Sequence, residues 1–459
     1  MAQHTICLLN DSFPPTIDGV ANAVLNYAGI IEESYGHSIV VTPYVSEADD
    51  SSYPFDVVRY PSIDTRKLFG YVTGYPFSPD AAHTIEEQHA EVLHTHCPVT
   101  SCLLARQLAQ SMQIPLIMTY HTKYDIDIAN AVRSKHLQKG ALTALLRNIN
   151  ACDEIWAVSK GAGENLMSMG YEGEYVVMRN GVDLPREKAA PELVLQATEG
   201  YDLPENIPCF LFIGRLMWYK GLKIILDALK QLDHKNIDFR MVFVGSGGDE
   251  AEVTAYTSEL QLDRKVFFTG AISNRELLRA WYTRADLFLF PSTFDTNGLV
   301  VREAAASDTA SVIIAGSCAA EGITDDRNGF LIEENADSLA AKLSALIASP
   351  DHIRQVGANA GAEIYLSWKD AIAQAYERYE IVIDRYKSGF YRSKVTYDNN
   401  FLRYQGNLMQ SLGDLEASRK ELHSSVKAFH AETRNSLQSM KNEARQNLDE
   451  LWEKFERYL

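Results

Sequence analysis

One pattern constrains this chain more than any other: short apolar runs that alternate with helical stretches, in two successive sets. The first set is HTICLLN, SIVVTPY, EVLHTH, PLIMTYH and EIWAVS; the second is CFLFIGR, FRMVFVGSG, KVFFTG, ADLFLFP, SVIIAG and NGFLI. Strand and helix in alternation imply parallel sheets joined by crossover helices. The sequence therefore predicts an α/β protein of two Rossmann-like, doubly wound domains facing each other across a cleft. Ligands of such sheets bind beyond the carboxyl ends of the strands, and each candidate loop below follows one of these runs.

The alternation lapses twice. From Pro185 to Pro208 the chain reads PREKAAPELVLQATEGYDLPENIP, with four prolines and no strand pattern. This divides the chain into an N-terminal domain (1–185), a linker (186–208) and a C-terminal domain (209–389) whose final helix returns to the first domain. Beyond it, from 390 to 459, apolar residues including Phe401, Leu408, Leu415, Leu422, Phe429, Leu437, Leu451 and Phe455 recur at helical steps. Such a stripe predicts a long amphipathic helix or a helical hairpin. Three uses stay open for this tail: self-association as a coiled coil, docking on a membrane surface, or packing back on its own domains.

Charge and cysteine usage narrow the class. At 459 residues the chain is long enough for two or three domains, and its net charge of −18 argues against a general nucleic-acid binder, which needs clustered Lys and Arg. Cys7, Cys97, Cys102, Cys152, Cys209 and Cys318 are scattered without metal-ligand spacing, so neither a disulfide framework nor a metal site is expected. MAQHTICLLNDSF lacks the pattern of a secretory leader, and no window approaches the roughly 18 apolar residues of a membrane span. A cytoplasmic location is the expectation.

Two loops of the second set carry the chemistry. In STFDTNGLVVREA, Thr296, Asn297 and Gly298 form a turn into a helix starting near Leu299, whose free N–H groups suit a phosphate. Glu303 lies one turn along that helix, about 6 Å from its start, where a carboxylate could accept two hydrogen bonds from a ribose diol. Asp295 precedes the helix and would face a sugar's hydroxyls. On this stretch alone, Asp295 is equally well a helix cap and Glu303 a solvated face residue. The second loop, IGRLMWYKG, sets Arg215 directly after a strand and Lys220 five positions on, with Gly221 closing the turn. Two cations at a strand end suit a departing diphosphate. Gly245, Gly247 and Gly248 in FVGSGGDE also follow a strand, but without the full fingerprint they are a weak dinucleotide signal.

With these motifs in place, the chain resembles the retaining glycosyltransferases of family 4. Their E-x7-E pattern corresponds to Asp295 through Glu303, and their G-R-x4-K-G pattern to Gly214, Arg215, Lys220 and Gly221. NDSFPPTIDGVANAV, TYHTKYD, DEIWAVSKG, VVMRNGVD, FVGSGGDE and ITDDRNGFLI follow in the family's order up to about residue 388. TYHTKYD and WYKG look most like bacterial members that transfer glucose to diacylglycerol. The resemblance implies the GT-B fold and a nucleotide-sugar co-substrate such as UDP-glucose, with no other cofactor. It also implies a lipid or glycan acceptor and metal-independent front-face transfer, in which the leaving diphosphate takes the acceptor's proton. Arg215 and Lys220 would bind the diphosphate, together with the turn at Asn297, Gly298 and Leu299; Glu303 would bind the ribose and Asp295 the donor sugar. Gly19 would let the backbone approach phosphate and acceptor, and His121 would sit against the sugar near its anomeric centre.

The chain departs from the family at Asp295, where Glu is usual, at Asp18 beside Gly19, and at Asp308, Thr309 and Ala310, where Gly-x-Pro is common. Peripheral membrane contact and a homo-oligomer through the tail are the partner expectations. The alternative is a catalytically weak or inactive homologue that acts as an assembly subunit through the tail.

Overall fold

A computed structural model describes residues 3–16, 18–66, 72–132 and 134–391. The expected helical tail from 390 onward therefore lies almost wholly outside the described residues. The N-terminal strands are β1 (Thr5–Leu9), β2 (His37–Pro43), β3 (Asp56–Tyr60), β4 (Ser62–Ile63), β5 (Thr73–Gly74), β6 (Val92–Thr95), β7 (Leu116–Tyr120), β8 (Glu154–Ala157) and β9 (Tyr175–Val177). All but β4 and β5 join one seven-stranded sheet in the order β3-β2-β1-β6-β7-β8-β9. Its pairs are all parallel. The second domain holds β10 (Cys209–Ile213), β11 (Arg240–Val244), β12 (Val266–Gly270), β13 (Leu287–Phe290), β14 (Ala310–Ile314) and β15 (Phe330–Ile332). They form a parallel sheet in the order β12-β11-β10-β13-β14-β15.

Both orders reverse direction beside their first strand, the doubly wound arrangement that opens a crevice between β1 and β6 and between β10 and β13. Every residue of CFLFI in β10 and of LFLF in β13 is buried, as central parallel strands covered on both faces require. Helices such as Leu222–His234 cover the second sheet through Leu222, Ile225, Leu226 and Leu229, a stripe at three- and four-residue spacing.

The last described helix, Trp368–Lys387, packs on the first sheet rather than the second. Trp368, Ile372, Tyr376 and Tyr379 share a core with Ile6, Leu8, Tyr27 and Ile31. Arg378 clasps Glu154 with two hydrogen bonds, of 2.8 and 2.7 Å, and Tyr379 reaches His94. The segment expected to be a plain linker contains a helix, Pro191–Thr198. Pro191 supplies its first turn, and the helix buries none of its residues, so no apolar stripe marks it in the sequence. The edge strands β3 and β9 were likewise not among the predicted runs; they carry half-buried residues in place of a continuous apolar stretch.

Asp308 stands where the family commonly has glycine, and its φ of 54° is left-handed. Asp tolerates that region better than most residues, which is how the turn survives the replacement.

Candidate functional site

The loops after β10 and β13 meet at the crevice of the second sheet. Gly221 ends the first loop at φ 79°, and a Cβ there would lie 2.0 Å from the Pro291 carbonyl oxygen of the second. Only glycine permits that approach. The contact brings Lys220 to Asp295, with Nζ 2.5 Å from Oδ1, while Ser292 Oγ donates to Oδ2 at 2.6 Å. Lys220 is buried, and the rings of Tyr219, Phe290 and Phe294 surround its ammonium. The two charges therefore sit in a partly desolvated pocket where each compensates the other.

Arg215 differs from Lys220. It is exposed at the mouth of the loop, and its guanidinium makes no hydrogen bond or ion pair among the described residues. Across the cleft, burial raises the Asp127 carboxyl above the usual range, and Arg215 partly offsets that rise. A cation with no partner of its own at a strand's carboxyl end is free for an anionic ligand.

The helix Leu299–Ala306 begins where the sequence predicts, with Gly298 before it at φ 61°. Asn297 is buried, yet among the described residues neither polar atom of its amide has a partner. Buried amides are seldom left so, which marks this turn as built for something it does not itself supply. Glu303 is not a solvated face residue: Arg275 Nη2 lies 2.8 Å from Oε1, and the Tyr282 hydroxyl donates to Oε2 at 3.0 Å. A diol at Glu303 would have to share it with these two donors. Neither Arg275 nor Tyr282 was signalled by the sequence, because each acts from a helix whose other residues read as ordinary packing. The glycines of FVGSGGDE serve closeness: a Cβ on Gly245 would lie 2.0 Å from the Gly214 carbonyl oxygen, and one on Gly247 would lie 2.3 Å from that of Leu216.

From the first domain, His121 follows β7 and is buried, with Nε2 2.9 Å from His96 Nδ1. Burial holds His121 neutral, its pKa pushed down to about 4. His96 was missed, although HTH closes β6 and His121 directly follows β7, the parallel strand paired with β6. Gly19 opens the helix Gly19–Ser34 with nothing within 4 Å of the place a Cβ would take, so packing does not demand glycine there. Asp18 caps this helix, its Oδ1 accepting from the N–H groups of Val20 (2.8 Å) and Ala21 (2.7 Å). The two domains touch beside the loop after β13. Ser159 Oγ donates to the Thr296 carbonyl at 2.5 Å, and the Glu321 carboxylate accepts from the N–H groups of Lys160 (2.8 Å) and Gly161 (2.6 Å).

Two doubly wound domains of this kind are the GT-B fold, and family models matching both of them make the class a glycosyltransferase that takes a nucleotide-sugar donor. The model of Glycosyltransferase Family 4 matches residues 17–186, and that of Glycosyl transferases group 1 matches 197–362. The chain belongs to the family 4 glycosyltransferases. It is 23% identical to an alpha-monoglucosyldiacylglycerol synthase of Streptococcus pneumoniae, over 75% of this chain and 79% of that protein. It is 24% identical to a GDP-mannose-dependent alpha-mannosyltransferase of Corynebacterium glutamicum, over 82% and 89%. In fold it is similar to the Anabaena HepE protein solved with UDP (TM-score 0.65, 18% identity, 82% of this chain and 100% of that one). It is also similar in fold to the sucrose-phosphate synthase of Thermosynechococcus elongatus (TM-score 0.67, 20% identity, 83% and 100%).

Proposed function

We propose that the chain transfers a hexose, with retention of anomeric configuration, from a nucleoside-diphosphate sugar such as UDP-glucose to a hydroxyl of a lipid acceptor. The observation that carries this reading is the exposed Arg215 guanidinium, without hydrogen bond or ion pair among the described residues, in the same loop after β10 that carries Lys220 to Asp295. As the bond between C1 and the diphosphate oxygen breaks, negative charge grows on that oxygen. Arg215 and the N–H groups at the start of Leu299–Ala306 receive it, and Lys220 adds charge from behind. The acceptor oxygen bonds to C1 from the same face, and its proton passes to the departing diphosphate. Asn297 offers its free amide to phosphate or sugar, Glu303 takes the ribose by sharing Arg275, and Asp295 turns its carboxylate toward the sugar hydroxyls. Gly19 leaves room for the acceptor's approach, and His121 lies against the sugar.

The lipid acceptor is supported by the relative named for monoglucosyldiacylglycerol. Among the described residues no helix is long and apolar enough to cross a membrane, so the enzyme would meet its lipid at the surface. The apolar stripe of the tail supports self-association of the chain. The test is turnover of the purified chain with UDP- and GDP-sugars against diacylglycerol, glycosylated diacylglycerol and oligosaccharide acceptors. Release of nucleoside diphosphate dependent on a lipid acceptor is the expected result; no release with any pair overturns the reading.

A further inference from the structure

His121 and His96 form a buried pair whose protons can be placed by elimination. Their rings lie edge to edge, centroids 5.2 Å apart and planes 27° from parallel, and Nδ1 of His96 lies 2.9 Å from Nε2 of His121, so one of these nitrogens donates to the other. Tyr27 packs edge-on against His96 at 5.3 Å and fixes its plane. Nearby His94 takes no part in the choice. Its Nδ1 is bonded to the Tyr379 hydroxyl (2.6 Å) and its Nε2 to Thr119 Oγ1 (2.7 Å), and it meets His96 only through ring packing at 4.1 Å.

Each ring is neutral and carries a single N–H, because burial drives both titrations below the usual histidine range. Two arrangements remain. If His121 donates from Nε2, the proton of His96 must sit on its Nε2, which is buried with no partner among the described residues. If His96 donates from Nδ1, that same Nε2 is only an unused lone pair. A buried N–H without an acceptor is the rarer and costlier state. The second arrangement therefore holds, and it leaves the proton of His121 on Nδ1, the nitrogen that makes no hydrogen bond within the described residues.

We propose that His96 is a positioning residue that fixes His121 with its proton on Nδ1, so that His121 meets the donor sugar as a hydrogen-bond donor to a sugar oxygen. The sugar contact rests on the reading of His121 given under Proposed function; the tautomer does not. A ring held this way cannot take the acceptor's proton through Nδ1, which leaves that task to the departing diphosphate. Asp18, which caps the Gly19–Ser34 helix, acts on His121 through its negative charge and partly offsets the effect of burial.

Long-range proton–nitrogen NMR of the full chain labelled with nitrogen-15 histidine tests the tautomer directly, with the His121 signals assigned by their loss in His121→Gln. The expected pattern is a protonated Nδ1 and a bare Nε2; the reverse overturns the proposal. Two substitutions test the positioning role. In His96→Asn the side-chain amide reaches the place of Nδ1 and can still donate, whereas His96→Leu cannot. His96→Asn should hold kcat within about threefold, and His96→Leu should lose about tenfold or more and mix the His121 tautomers. Equal losses in both variants with an unchanged His121 pattern would show a merely structural role and overturn it. Should His96→Leu not fold, the spectrum of the unaltered chain still decides. Full transfer activity in His121→Ala would remove the sugar contact, and with it the reading of His121, while leaving the tautomer as measured.

Discussion

Lys220 Nζ and Asp295 Oδ1, 2.5 Å apart, join two loops that are 75 positions apart in the chain and adjacent only at the crevice between β10 and β13. Lys220 has little exposed side chain and Asp295 somewhat more, so removing one charge strands the other in a pocket that solvates it poorly. Lys220→Ala should destabilise the chain by about 2–4 kcal/mol. Adding Asp295→Ala should cost much less than its effect alone, because the pair is lost only once. Urea denaturation of both single variants and the double variant measures this; strictly additive losses would mean that the pair contributes nothing as a pair.

Glu303 is already engaged by Arg275 and Tyr282 before any donor arrives. In the proposed role of Glu303, donor binding exchanges part of this network for ribose hydroxyls. Glu303→Ala should weaken binding of the nucleoside diphosphate by about 1.5 kcal/mol, the low end for a hydrogen bond to a charged group. Calorimetric titration on the folded variant gives the value, and unchanged affinity would take the ribose away from Glu303.

The buried histidines make stability depend on pH. Burial holds His94 and His96 well below the ordinary value of 6.5, and His121 at about 4. Below pH 6.5 the unfolded chain binds protons at these positions and the folded chain does not. Stability therefore falls as pH falls from about 6.5 toward 4, by up to roughly 1.4 kcal/mol per pH unit for each histidine. Denaturation midpoints from pH 7 down to pH 5 check this, and a smaller slope in His121→Gln assigns its share. A midpoint independent of pH over that range would contradict the buried neutral rings.

Much of this was legible in the sequence because parallel strands are apolar along their whole length and helices are not. β10 and β13 stand out as CFLFI and LFLF, so the loops that follow them, with Arg215, Lys220 and Asp295, could be placed at strand ends before any coordinates. The start of the helix at Leu299 was equally readable, since Gly298 must precede it. What the sequence hid is partnership. Nothing in NRELLRAW announces that Arg275 reaches Glu303, 28 positions away, or that Lys220 is already paired with Asp295. His96 and His121 meet just beyond the paired ends of β6 and β7, a neighbourhood that local pattern does not carry. Edge strands and the Pro191–Thr198 helix escaped because they bury too little to leave a period.

The central claim is that a diphosphate leaves through the charge at the second crevice, and Arg215 tests it most directly because its exposed side chain makes no hydrogen bond or ion pair among the described residues. Steady-state kinetics of Arg215→Ala should show kcat lowered by about a hundredfold, with KM for the donor changed far less, while the denaturation midpoint stays where it was. Full kcat in this variant, or a loss confined to KM, would contradict the account.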